Sequence, residues 1–213
     1  MKSTEKEISY QSTNSYSTLN NLTDTTKNVW FVCHGIGYLS RYFLKYFKDL
    51  NPEENYIIAL QAQSKYYLGS KYRHVGASWL TKENTAKETE NVMHYFDAVL
   101  EAEKLPKDIN LIVLGYSQGV SVATRYVASR KLKCSQLLLL SGGIPAELTN
   151  DDFKFLEGKT KVTLLYGDKD EYLTEPFMDN AIKGFYQLFG ETAEINVFEG
   201  KHEVKKELLK QFC

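Results

Sequence analysis

The sequence carries almost no excess charge: 26 basic residues against 27 acidic ones leave 213 residues with a formal net charge of −1. A nucleic-acid backbone or an anionic lipid surface is drawn to a cationic face, and this balance gives no sign of one. Small neutral or lipid-like ligands are therefore as open as charged ones. Cysteine is scarce. Cys33, Cys134 and Cys213 are odd in number and far apart, which argues against a disulfide framework and against a zinc site. No other set of ligand residues has metal-binding spacing, so neither a metal nor an organic cofactor is expected. The chain also lacks any apolar run long enough to cross a bilayer, and residues 1–7 contain no apolar stretch of signal-peptide type. A soluble, cytoplasmic protein without nucleic-acid or integral membrane partners is expected. Repeats, low-complexity linkers and domain boundaries are missing too. With 43% hydrophobic residues the chain can bury one substantial core and is short for two, so a single domain spanning 1–213 is expected.

What is present is a regular alternation. Residues 1–27 are polar and read as a peripheral N-terminal hairpin or tail, the hairpin being favoured by Ile8, Tyr10, Tyr16 and Leu19. Continuous apolar runs at 29–33, 56–60, 111–114, 136–141, 161–166 and 194–198 read as strands. Helical patterns stand between them. The first covers 42–50. In the second, 85–104, Val92, Phe96, Val99 and Leu100 fall on one face and Pro106 follows. A later one begins near Pro176, which suits a first turn, and runs through Phe185 and Leu188. Val204, Leu208 and Leu209 support a closing helix. Strands buried on both sides lose the in-out alternation of a half-exposed sheet, so this pattern predicts an α/β fold: a mostly parallel twisted sheet with helices on both faces.

Residues 61–80 have no clear period and hold an unusual share of the fifteen tyrosines. A loop of that length inside a compact domain needs a reason to persist. Tyr66, Tyr67, Tyr72 and Trp79 are candidates to line a substrate groove, or else to cap the core. His74, beside Arg73, reads as a surface residue, and His94 as a solvated one off its helix's apolar face.

The sharpest local signal is Gly115, Tyr116, Ser117, Gln118 and Gly119, directly after the 111–114 run. It fits Gly-x-Ser-x-Gly, in which a serine is exposed on a tight strand-to-helix turn. Cβ atoms two positions to either side would collide with the adjoining strand and helix, so glycine is physically required there. Val120, Ala123, Tyr126 and Val127 then form one apolar helix face.

In an open parallel sheet the site forms at the carboxyl ends of the strands. His34 and Gly35, Ser117, Asp168 and Asp170, and His202 all follow strand ends. A serine hydroxyl is a poor nucleophile until an imidazole takes its proton and a carboxylate orients that ring. Ser117, Asp170 and His202 occur in the chain order Ser, Asp, His.

At these residues the chain resembles the α/β-hydrolases, most closely the phospholipase/carboxylesterase group that includes acyl-protein thioesterases and lysophospholipase-like esterases. The resemblance runs from about Val29 onward and rests on residues 33–37, 115–119, 167–170 and 200–203. Tyr38 stands where the group often has Asp, and Tyr166 where it often has His. The resemblance implies Ser117 as nucleophile, His202 as general base then acid, and Asp170 as the orienting carboxylate, with Asp168 as its rival. It also implies an oxyanion hole from the backbone N–H groups of Ile36 and Gln118, and a structural role for His34. Tyr38, Tyr72 and Trp79 are the expected substrate-binding residues. The implied activity is a serine carboxylesterase acting on small or single-chain acyl esters beneath a minimal lid. Lysophospholipase or acyl-protein thioesterase activity, or a hydrolase-fold protein that only binds, are the alternatives.

Overall fold

The computed structural model describes residues 3–172, 175–190 and 193–213, with the backbone alone at 175–179. Its centre is a seven-stranded sheet built from β1 (Tyr16–Leu19), β2 (Asn28–Cys33), β3 (Asn55–Leu60), β6 (Asn110–Tyr116), β7 (Gln136–Leu140), β8 (Lys161–Gly167) and β9 (Glu194–Phe198), in the order β1-β3-β2-β6-β7-β8-β9. All neighbours are parallel except β1, which pairs antiparallel with β3. This is the α/β-hydrolase type of architecture.

The apolar runs are continuous because each central strand feeds two cores. Along β2, Val29, Phe31 and Cys33 face one core while Trp30 and Val32 face the other. The first core lies under α2 (Thr85–Glu103), α3 (Gln118–Arg130) and α4 (Glu175–Phe189), through Phe96, Ala123, Val127 and Phe185. The second lies under α1 (Ser40–Phe43), the 3₁₀ turn Leu44–Phe47 and α5 (Lys206–Leu209), through Phe43, Phe47 and Leu209. Nearly every residue of β2, β3, β6 and β7 is therefore buried on one side or the other, which explains why alternation is missing there.

Three expectations are corrected. Among the described residues the N-terminal segment makes no hairpin of its own: it supplies the single strand β1 to the edge of the main sheet, held by Asn14 Nδ2 to Gln61 O (2.7 Å) and Tyr95 Oη to Ser15 O (2.8 Å). The expected 42–50 helix is a four-residue α1 followed by a 3₁₀ turn. Over so few residues, 3.0 and 3.6 residues per turn bring much the same side chains to the core, so apolar spacing identifies the buried face and not the pitch. Residues 61–80 are not an irregular loop. They fold as a hairpin, β4 (Ser64–Leu68) with β5 (His74–Ser78), in which Tyr66 faces Gly76 and Tyr67 faces Val75. Every residue of β4 is exposed, so no buried face imposed a period on its sequence. Among the described residues no helix is long and apolar enough to cross a membrane.

Candidate active site

β6 ends at Tyr116 and α3 begins at Gln118, leaving Ser117 alone on the turn with φ 53° and ψ −121°. A positive φ at a non-glycine residue is strained and persists only where its surroundings fix it. Here the Ser117 N–H is held by Leu140 O at 2.8 Å, and the flanking glycines permit the close approach. A Cβ on Gly115 would lie 2.5 Å from Val120 Cα, and one on Gly119 only 2.1 Å from Cys33 O. The helix is thus pressed onto the neighbouring strand, and the serine is pushed up from the sheet edge.

His202 and Asp170 come to meet it from the ends of β9 and β8. His202 Nε2 lies 2.9 Å from Ser117 Oγ, and Nδ1 lies 2.8 Å from Asp170 Oδ2. With Nδ1–H donating to the carboxylate, Nε2 is left free to accept from the serine hydroxyl. The Asp170 side chain is fully buried, and its other oxygen accepts the Tyr172 N–H at 3.0 Å. Asp168 does something else. Its Oδ1 accepts the Gly200 N–H at 2.9 Å, bracing the loop that carries His202. Lys169 N–H to Gly200 O (2.8 Å) adds a second brace, and Gly167 sits so close to this loop that a Cβ would be 2.4 Å from Gly200 O.

The loop after β2 borders the serine on the other side. Gly35 is so near that a Cβ there would be 3.1 Å from Ser117 Cβ, and the residue after it, Ile36, is half-exposed. Gln118 is the first residue of α3, where a backbone N–H has no acceptor within the helix. His34 is completely buried and structural: Nδ1–H donates to Gly35 O at 2.7 Å, and Nε2 accepts the Ala62 N–H at 3.2 Å. Burial holds its pKa down at about 4.

The three expected substrate-binding residues fall in different places. Trp79 lies in the core with no exposed surface, its indole N–H on His34 O at 2.7 Å and its edge against Phe96. With no exposed surface it lines no groove; the expectation failed because buried aromatics and groove aromatics look alike in a sequence. Tyr72 is exposed near the hairpin turn and packs against Tyr67, and no described contact joins it to the serine, imidazole or carboxylate. Tyr38 shares a hydrogen bond with the Tyr46 hydroxyl at 2.8 Å and lies edge-on to Tyr116; burial, then the Tyr46 hydroxyl, push its pKa up to about 12.

Other residues near the serine escaped the sequence reading. The Gln118 side chain ties the elbow to β5 and beyond, accepting the Trp79 N–H (2.8 Å) and donating to Leu80 O (2.7 Å). Tyr172 stands edge-on to the His202 ring at 4.8 Å. Gly142 is pressed against the elbow, where a Cβ would lie 2.3 Å from Ser117 O, and from it opens a cavity of about 550 Å³ lined by Ile144, Pro145, Leu148, Phe185 and Leu188. The doublet Gly142 and Gly143 after a strand was the available signal.

Residues 14–212 match the model of the phospholipase/carboxylesterase family. The chain belongs to that family. Its members are hydrolases of the esterase type, and this protein is one. Solved structures agree in fold. The Zea mays acyl-protein thioesterase 2 superposes with a TM-score of 0.70 at 15% identity, covering 93% of this chain and 96% of its own. Esterase PE8 gives 0.68 at 19% identity with the same coverage, and the Bacillus cereus carboxylesterase gives 0.63 at 14% identity over 92% of each chain. No curated protein matches the phospholipase/carboxylesterase chain in sequence.

Proposed function

We propose that the protein is a serine carboxylesterase that cleaves small or single-chain acyl esters through an acyl intermediate on Ser117. The observation that carries this reading is the hydrogen-bonded line from Ser117 Oγ through the imidazole of His202 to the buried Asp170 carboxylate. Ser117 Oγ attacks the ester carbonyl carbon as its proton passes to His202 Nε2, and Asp170 stabilises the imidazolium that forms. The tetrahedral oxyanion is met by the N–H groups of Gln118 and Ile36, each such donor contributing about 3 kcal/mol to the transition state. Collapse breaks the bond to the alkoxide, which leaves with the His202 proton. Water then gives a proton to the same nitrogen and its oxygen attacks the acyl carbon. The carboxylic acid departs and the serine recovers its hydrogen.

The cavity beginning at Gly142 supports an acyl chain as the bound part of the substrate, since apolar side chains such as Ile144, Leu148 and Phe185 outnumber polar ones such as Thr149 and Asn150 in its wall. Its size suits one chain, which keeps lysophospholipids and thioesters within the same chemistry. The whole chain acts as one domain.

A fluorophosphonate probe and a p-nitrophenyl ester series test this. Wild type labels stoichiometrically and hydrolyses short and medium acyl chains, whereas Ser117→Ala does neither. Well-folded wild type that resists the probe, or activity confined to long-chain triglyceride emulsions with interfacial activation, contradicts the proposal.

A further inference from the structure

Tyr116, the residue just before the serine, is tied to the imidazole as well as to the nucleophile. Its backbone is locked into β6 opposite Leu140. Its hydroxyl donates to the backbone carbonyl of His202 at 2.9 Å. Its ring lies 5.3 Å from the His202 ring and is stacked on Phe43, with Tyr38 edge-on at 6.1 Å. The side chain is almost entirely buried, and that burial pushes its phenol well above the ordinary range, so it remains a proton-bearing donor wherever an esterase operates.

This contact matters because of what else holds His202. The loop carrying it follows β9, the last strand of the sheet, and precedes an α5 of only four residues. Asp170 holds the imidazole ring through Nδ1, while the backbone braces from Asp168 and Lys169 act on Gly200, two residues earlier. The tie from Tyr116 acts on the backbone of His202 itself, and its other end is covalently joined to Ser117. We propose that the Tyr116 hydroxyl is a positioning group that fixes the distance between the general base and the nucleophile, a role resting on the serine-esterase reading above. The aromatic ring alone fills the space; the hydroxyl sets the register.

Tyr116→Phe keeps the ring and removes the tie. Since a displacement of about 1 Å can cost up to about a hundredfold in rate, kcat per titrated active site is expected to fall about ten- to a hundredfold with KM unchanged. The bimolecular rate of fluorophosphonate labelling should fall by a similar factor, because phosphonylation needs the same base. Counting active sites and recording the thermal midpoint separate this from damage to the fold. A variant with fewer titratable sites or a lower midpoint, but an unchanged kcat per site, overturns the proposal. So does a raised KM at constant kcat, which would make the phenol a substrate contact. Turnover surviving in Ser117→Ala would instead sink the underlying triad reading, so the two failures are distinguishable.

Discussion

At the scale of single residues, two carboxylates at the first and third positions after β8 have separate partners. The buried Asp170 carboxylate meets His202 Nδ1, while Asp168 accepts a backbone N–H in the His202 loop. Asp170→Asn is expected to lower kcat about ten-thousandfold by favouring the wrong tautomer. Asp168→Asn, which can still accept that N–H, should cost about tenfold or less; steady-state kinetics on both variants decide, and equal losses contradict the division. His34 supplies a pH prediction. Its folded pKa of about 4 lies below the ordinary 6.5, so as pH falls through 6.5 the unfolded chain takes up a proton that the native one refuses. Stability is therefore lost on acidification and unaffected by this group above neutrality. The share due to His34 is about 2 kcal/mol between pH 7 and pH 5. Urea denaturation at both values should show that share missing in His34→Gln. Sequence alone reads the serine best, because a turn this tight admits so few residues. It reads aromatics worst: Trp79 in the core and Tyr72 on the surface have the same character in one dimension.

At the scale of elements, the strands were legible and their neighbours less so. A strand buried on both faces announces itself as an apolar run, and β2, β3, β6, β7, β8 and β9 begin or end within a residue or two of the runs that indicated them. β4 has no buried face, so its pairing with β5 left no periodicity to read. What seats that hairpin is contact at its base. Gly37 N–H donates to Ala77 O at 2.9 Å, and a Cβ on Gly76 would lie 2.6 Å from Gly37 O. The Gln118 side chain adds the link to the elbow. Gln118→Ala is expected to cost about 1–3 kcal/mol, because the buried Trp79 N–H loses its acceptor. Faster amide exchange at 76–80, with α3 unaffected, is the accompanying signature. Uniform exchange across the chain contradicts the link. The junction of α3 with β2 is tighter still. Gly119→Ala should destabilise by about 3 kcal/mol or more through the clash with Cys33 O, visible as a lower urea midpoint.

At the scale of the whole molecule, a parallel sheet gathers every strand's carboxyl end along one edge, so residues 85 positions apart in sequence, Ser117 and His202, meet without any local device. That convergence was foreseeable from the alternation of strands and helices. The cavity at Gly142 was not, since it forms between a loop and α4 whose approach only the folded chain specifies. The proposed covalent acyl-serine is tested most directly by intact-protein mass spectrometry after mixing with a short p-nitrophenyl ester and acid quenching within milliseconds. Wild type should gain the mass of one acyl group, mapped by fragmentation to Ser117 and matched by a stoichiometric burst of p-nitrophenol, and Ser117→Ala should gain nothing. Ester turnover with the acyl group on another residue, or undiminished in Ser117→Ala, would contradict it.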